Sequence, residues 1–378
     1  MHSEATPQVS VVTPSYNSAD FLAQAIDSVK GQDYPKIQHL IIDGQSSDET
    51  LDILRAAKPP VEWISEPDQG QADALNKGFA RATGQIIGWL NADDTYTPGA
   101  ISAAVEFLQR HPQVDLVYGN FNFVDEQGQV IRPHPVAPYS LDKLLYAAII
   151  PQASMFFRRR ILDELGGVNP TLHYVLDWDF TFRIARRYNV ANVPQTWGNF
   201  RIAPGTKSVQ QPEQFWPEMI PILQQAVSED AARFHRWGAD ALFMAHLLAG
   251  LEFARSNMLN PAQKYVGRAF EIMPVPSRHP AVLASGLYRT AMFPWHSAFR
   301  PHPLARQALD NLSQCLTDTP LKRDIEGYLN LCRGLRLVRQ GKWTETHGYV
   351  TQAGHLIGRE SFYNWRTARM LLGAIVKP

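Results

Sequence analysis

Between Val9 and Ile202 the chain switches repeatedly between short apolar runs and stretches whose apolar residues recur every three or four positions. The first pattern is that of buried strands and the second that of amphipathic helices. Val9-Ser10-Val11-Val12-Thr13 predicts a strand, broken by Pro14-Ser15-Tyr16-Asn17. From about Ala19 to Gln32, Phe21, Leu22, Ala25, Ile26 and Val29 line one face of a helix. Ile37 to Ile42 is a second strand ending at Asp43-Gly44, after which Ser47-Asp48-Glu49 opens a helix with a polar cap and an acidic first turn. Val61-Glu62-Trp63-Ile64 is a third strand, Gln71 to Ala82 a helix, and Ile86-Ile87-Gly88-Trp89-Leu90 a fourth strand. Strands alternating with helices predict a largely parallel sheet covered on both faces. Three of these strands end in polar loops that converge on one edge, where open α/β sheets collect ligands.

Past Asp94 the pattern changes. Leu116-Val117-Tyr118 and Phe121 to Asp125, with Glu126-Gln127-Gly128-Gln129 before Val130-Ile131, predict a strand and a hairpin. Met155-Phe156-Phe157 is another strand, and Asp177-Trp178-Asp179 opens a helix to about Tyr188. After Pro212 strand signals nearly vanish, so an α/β domain over residues 1–211 precedes an all-α domain over residues 212–378. Within the latter, Gly250, Phe253, Ala254, Ala262, Val266 and Ala269 match Gly334, Leu337, Val338, Thr346, Val350 and Ala353 in register. Small residues at these intervals resemble the tetratricopeptide pattern, and ordinary helix-hairpin packing explains them as well. Pro274, Pro276, Pro280, Pro294, Pro301 and Pro303 interrupt the helices between the two stretches.

Composition narrows the class. The 378 residues are 45% hydrophobic and 19% charged, enough for two packed domains. With 36 basic and 36 acidic residues, no overall field draws the chain to nucleic acid or anionic lipid. Met1 to Gln8 lacks the layout of a secretion signal, and no apolar run approaches the roughly 20 residues that span a bilayer. Cys315 and Cys332 have neither metal-ligand spacing nor a partner His cluster and read as reduced core residues. The expectation is a cytoplasmic protein, peripheral at the inner membrane face if its acceptor is lipid-linked.

The candidate chemistry lies in three loops that follow strands: Thr13-Pro14-Ser15-Tyr16-Asn17, Asp43-Gly44-Gln45-Ser46-Ser47-Asp48 and Asn91-Ala92-Asp93-Asp94. A nucleotide needs an aromatic or apolar surface for its base, acceptors for its imide and ribose, and a cation for its diphosphate. Tyr16, Asp43 and Asp93 supply those three types in order. Each also has a local explanation, since Asp43-Gly44 and Asp93-Asp94 suit turns and Asp48 suits a helix cap.

The order and spacing of these loops resemble the family 2 glycosyltransferases, which have the GT-A fold, a mixed sheet flanked by helices, and use nucleotide-activated sugars. The resemblance continues through Glu66-Pro67-Asp68-Gln69-Gly70-Gln71-Ala72-Asp73-Ala74-Leu75-Asn76-Lys77-Gly78 and Ala82-Thr83-Gly84, and covers Val9 to about Ser208. It implies that Pro14, Tyr16, Asp43 and Asp68 belong to the nucleotide-sugar site, with Asp43 on the base. The acidic motif of that family usually begins with Asp. Here Asn91 stands first, able to hydrogen-bond ribose without charge, then Ala92, with Asp93 at the position for a divalent cation (Mg2+ or Mn2+) and Asp94 beside it. Tyr174 to Phe180 resembles the segment that carries the catalytic base of an inverting transfer. Asp177 is the best match and Asp179 the reserve, although an acid there is also a helix cap.

Phe200-Arg201-Ile202-Ala203-Pro204-Gly205-Thr206-Lys207-Ser208 resembles the segment closing over the donor diphosphate, with Arg201 or Lys207 on phosphate and Ala203 in place of a common His. A solvated basic loop is the other reading. Pro151-Gln152-Ala153-Ser154 lies where the family forms part of the sugar pocket, and is equally a strand start. Trp178 suits a sugar face or the core. The resemblance implies a donor such as a UDP-, GDP- or dTDP-sugar and a glycan or lipid-linked acceptor. The helical domain would bind acceptor, a protein partner or another copy. A nucleotidyltransferase would place a Gly-rich phosphate loop after the first strand, where Pro14-Ser15-Tyr16-Asn17 stands instead. A non-catalytic scaffold with a relic transferase domain is the alternative of a different class.

Overall fold

The structure is a computed structural model that describes residues 6–136, 138–146, 150–203, 206, 210–235 and 237–273, with positions 330, 348, 351 and 352 beyond them. The chain divides into two compact units, Met1–Thr206 and Lys207–Pro378. In the first, β1 (Val9–Ser15), β2 (Ile37–Asp43), β3 (Val61–Ser65) and β4 (Ile86–Trp89) are joined by α1 (Ala19–Lys30), α2 (Thr50–Ala56) and α3 (Gln71–Arg81). There follow β5 (Thr95–Tyr96), α4 (Ala100–Arg110), β6 (Leu116–Val124), β7 (Val130–His134), α5 (Leu141–Tyr146), β8 (Met155–Arg158), α6 (Arg160–Leu165), α7 (Leu176–Arg187) and β9 (Val190–Arg201). The strands form one mixed sheet in the order β3-β2-β1-β4-β8-β6-β9-β5, with β7 paired to β6. β1 to β4 pair in parallel, β8 runs antiparallel to β4 and β6, and β9 runs parallel to β6. The carboxyl ends of β1, β2, β4, β6 and β9 therefore share one edge.

Two strands differ from their sequence reading. β1 does not break at Pro14 but continues to Ser15, in register with Ile42 and Asp43 of β2. Val12, of the same parity as Pro14, accepts from Leu90 on the β4 side, and pairing with β4 stops at Val12–Trp89. The N–H that proline lacks would point where no neighbour needs it. β9, not anticipated as a strand, reaches Arg201 through a bulge. It advances from Asn192 to Gly198 while β6 advances only from Tyr118 to Phe121, and Pro194 lies in the surplus.

Apolar spacing explains the helix faces. Leu22, Ala25, Ile26 and Val29 of α1 are buried, and Val29 and Ala25 join Val9, Val11, Ile86 and Leu90 in one cluster. α7 docks through Phe180, which stacks on Phe79 of α3 at 6.1 Å and meets Phe157 of β8 edge-on at 5.4 Å. Burying such a side chain stabilises by about 1.5–3 kcal/mol. Asn76 braces the same contact, exchanging hydrogen bonds of 2.9 Å with both backbone groups of Val168.

The second unit is helical over its described residues, with α8 (Phe215–Glu229), α9 (Ala231–Phe234), α10 (Gly238–Arg255) and α11 (Leu259–Ile272). Ala254, Ala262, Val266 and Ala269 are buried between α10 and α11, where Phe253 stacks on Tyr265 at 5.2 Å. The first of the two matching stretches is thus a helical hairpin. The second, from Gly334 to Ala353, lies almost wholly outside the described residues, as do Cys315, Cys332 and the prolines from Pro274 to Pro303. Among the described residues no helix is long and apolar enough to cross a membrane.

α3 lies so close to β1 that a Cβ at Gly78 would stand 2.3 Å from Val12 Cγ1. Gly78→Ala is therefore expected to lower unfolding stability by about 1–3 kcal/mol through overpacking. This holds although alanine is the better helix former by ~1 kcal/mol. Urea denaturation reads the change, and an unchanged or raised midpoint would show that Val12 yields.

Candidate active site

The loops after β1 and β2 interlock at the shared edge. Asn17 (φ 47) donates its N–H to Ser46 Oγ at 2.8 Å and accepts the Ser47 N–H at 2.9 Å. Asp48 accepts from Ala19 N–H and Thr50 N–H, both at 3.1 Å, and so caps the starts of α1 and α2 together. Tyr16 is left 63% exposed beside this knot, an open aromatic face, while Pro14 is buried in the sheet.

Asp43 is not the open acceptor expected for a base. It is 0% exposed, and its carboxylate accepts from Ser46 N–H at 3.0 Å, Ser46 Oγ at 2.5 Å and Ser65 Oγ at 2.6 Å. Three donors hold it as the internal brace of its loop. Asp68 comes to the same place from the next segment. One of its oxygens accepts from Gly70 N–H at 2.8 Å, and the other would lie 2.5 Å from a Cβ on Gly44. Position 44 must be glycine for Asp68 to lie there.

Asn91 stands in a polar network. Its Oδ1 accepts from Trp89 Nε1 at 2.9 Å and Gln71 Nε2 at 3.0 Å, its Nδ2 donates to Gln152 Oε1 at 2.9 Å, and Gln152 Nε2 donates to Trp89 O at 2.6 Å. β4, the start of α3 and the turn before β8 are thereby joined. Ala92 is buried with Leu22, Ile26, Ile41 and Leu54, so its side chain belongs to the core and not to a nucleotide surface.

Asp93 and Asp94 follow. Burial raises the pKa of both carboxyls, against the opposing Arg201 charge, and the neighbouring Asp93 charge adds to the rise at Asp94, which stands well above the ordinary range. Asp94 Oδ1 accepts from the Arg201 backbone N–H at 3.0 Å. Its Oδ2 is buried without a hydrogen-bond partner, as is the hydroxyl of Tyr96. Arg201 is not in an open loop as expected. It ends β9, 1% exposed, with its guanidinium donating to Asp93 O, Asp125 O, Glu126 O and Gln24 Oε1. Sequence reasoning missed the roles of Gln71, Gln152 and Ser65. Gln71 and Gln152 lay within quoted motifs, whereas Ser65 carried no signal.

The two acids of α7 fare differently. Asp179 is buried and paired with Arg183 at 2.9 Å, and Arg183 in turn donates to Gly167 O at 2.8 Å. Asp177 accepts the Trp178 N–H at 2.8 Å, and burial raises its pKa. Trp178 takes the core reading, stacked on Phe182 at 5.0 Å with its indole N–H on Leu144 O. Among the described contacts no hydrogen bond joins Asp43, Asp93 and Asp177 to one another. Lys207, the other phosphate candidate, lies outside the described residues.

The sequence profile of glycosyl transferase family 2 matches residues 10–169. An uncharacterised glycosyltransferase of Mycobacterium tuberculosis is 33% identical over 185 residues, which cover 48% of this chain and 70% of the relative. TarS of S. aureus superposes with a TM-score of 0.55 at 17% identity over 81% of this chain and 54% of TarS, so the chain spans about half of that protein. A TarS 1–349 structure in complex with UDP-GlcNAc gives 0.53 at 16% identity, over 94% of this chain and 93% of that one. A mannosyltransferase of Pyrobaculum calidifontis, solved with GDP-Man and Mn2+, gives 0.51 at 20% identity over 84% and 89%. The mixed sheet with flanking helices is the GT-A architecture these neighbours share. With its acidic turn at the carboxyl edge of that sheet and a relative matched over most of its length, the chain belongs to glycosyl transferase family 2 and is a glycosyltransferase.

Proposed function

We propose that the chain moves a sugar from a nucleoside diphosphate sugar to a hydroxyl of a glycan or lipid-linked acceptor, with inversion at the anomeric carbon and Asp177 as general base. The observation that carries this reading is the contrast on α7. Asp179 is neutralised by Arg183, whereas no cationic partner is described for Asp177, which receives only backbone N–H groups. A carboxylate partly withdrawn from water and without a counter-charge is a stronger proton acceptor than a fully exposed one. As the acceptor oxygen attacks the anomeric carbon, its proton passes to Asp177 and the bond to the diphosphate oxygen breaks. Tyr16 offers a face for the base, and Asp68 an acceptor beside Gly44.

The residues fit a hard divalent cation. The Asp93 carboxylate has no described partner beyond its own backbone N–H and Arg201's field, and Asp94 Oδ2 is a buried oxygen without a donor. Among the described residues no group of three or more His, Cys, Asp or Glu could hold a metal by itself. One or two carboxylates with the donor's phosphates completing the shell is the arrangement Mg2+ favours. Asp93 would hold the ion, with Asp94 beside it, and the ion supplies neutralisation of charge on the departing diphosphate.

Calorimetry with UDP-, GDP- and dTDP-sugars in the presence of Mn2+ is expected to show binding of at least one donor, and silence across the panel would remove the proposed reaction. Asp177→Asn is expected to keep that affinity while turnover falls on the order of 10²–10⁴-fold. Turnover within a few-fold of wild type would take Asp177 out of the base role. The pH profile gives an independent reading. Only the ionised carboxylate accepts a proton and burial raises its pKa, so kcat/KM should fall off on the acid side at a pH above the ordinary aspartate range. A profile flat down to pH about 4, the usual aspartate value, would contradict it.

A further inference from the structure

Arg201 is a charged side chain among the largest fully buried ones, and it is occupied by the protein itself. Nε donates to Asp93 O at 2.8 Å, one terminal nitrogen to Asp125 O at 2.7 Å and Glu126 O at 2.8 Å, and the other to Gln24 Oε1 at 2.8 Å. Its backbone N–H reaches Asp94 Oδ1 at 3.0 Å, and the guanidinium lies 4.6 Å from the centre of the Phe21 ring. Four of the five guanidinium donors are thus spent on oxygens from the acidic turn, the β6–β7 turn and α1. A basic residue that met the donor's phosphates would keep its donors free and face solvent in the ligand-free protein. Arg201 does neither.

We infer that Arg201 is a positioning residue that shapes the turn carrying Asp93, and acts on the divalent cation through that turn without touching the diphosphate. The inference rests on the cation reading given under Proposed function. Its chemistry is specific to arginine. A planar fork can serve carbonyls of two turns and an amide oxygen at once, while a lysine offers donors from a single point and keeps only the charge. Because the grip at residue 93 is on the main-chain carbonyl, it holds the turn and leaves the Asp93 carboxylate for the ion.

The test separates holding the turn from holding the phosphate. Binding of UDP and GDP is measured by calorimetry on wild type and Arg201→Lys, once in EDTA and once in Mn2+, with urea denaturation to check folding. In EDTA the variant is expected to bind within twofold of wild type. The gain in affinity that Mn2+ confers is expected to shrink by about 10–100-fold, the usual size of an outer-shell effect on metal sites. Weaker binding in EDTA, or an undiminished Mn2+ gain, overturns the inference. Should Arg201→Lys fail to fold, Gln24→Ala removes one acceptor and is expected to cut the Mn2+ gain by about two- to tenfold, the weight of one hydrogen bond. An unchanged gain in that variant overturns the inference equally. A wild type that gains nothing from Mn2+ overturns the cation reading and this inference with it, whereas the variant outcomes bear on Arg201 alone.

Discussion

At the carboxyl end of β4 a buried Asp94 stands beside a half-buried Asp93, and the buried guanidinium near them comes from the far end of the domain. Burying an acid without a counter-charge is costly, and a second acid beside it raises the cost. Loss of hydration acts on Asp93 and Asp94 alike, the Asp93 charge adds to the rise at Asp94, and the charge of Arg201 opposes the rise at both. For Arg201 to arrive there, β9 must run parallel to β6 and end at the same edge as β4. The later half of the sheet is therefore tied to the turn after β4. It completes the electrostatics of the turn that the earlier half carries, and the bulge at Pro194 sets where along β9 that completion falls.

The neutral residue at the head of the acidic turn follows from its neighbours. Asn91 must accept from Trp89 and Gln71 and donate to Gln152, whose own amide is oriented by donating to Trp89 O. An aspartate could accept both bonds but would face Gln152 Oε1 with a second oxygen, and turning the glutamine over would set its oxygen against Trp89 O. Leaving such buried oxygens without donors costs about 1–3 kcal/mol. Asn91 is thus matched to Gln152, and its departure from the family's usual acid is no sign of a decaying site.

Much of this was legible in the sequence, because hydrophobic period reports how a segment meets the core. β1 to β4, the face of α1 and the existence of α3 follow from it, and turn and cap residues add the hairpin at Gly128 and the start of α7. Residue type alone did not tell Asp43 from Asp93, since both are acids just past a strand. Asp43 is filled by hydroxyls from Ser46 and Ser65, and Ser65 comes from another strand. β9 was hidden because Pro194 and the bulge interrupt its alternation, and with it went the burial of Arg201. Trp178 and Ala92 illustrate the same limit, for which side of an element a residue faces depends on its neighbours in space.

The helix α7 shows how one short segment can serve both purposes. Residues two apart on a helix point about 200° away from one another, so Asp177 and Asp179 cannot share a partner. Position i+4 from Asp179 is Arg183, an ion pair readable from spacing alone. Position i+4 from Asp177 is Thr181, whose hydroxyl donates to the Asp177 carbonyl at 2.9 Å and leaves the carboxylate untouched. Asp179, through Arg183, ties the helix to Gly167 O, and Asn76 ties the adjoining Val168 to α3. A general base is useful only when held within hydrogen-bond reach of the proton it removes. The acid that is neutralised therefore supports the acid that is not: the ion pair fixes the helix, and the fixed helix gives Asp177, the proposed base, a defined place.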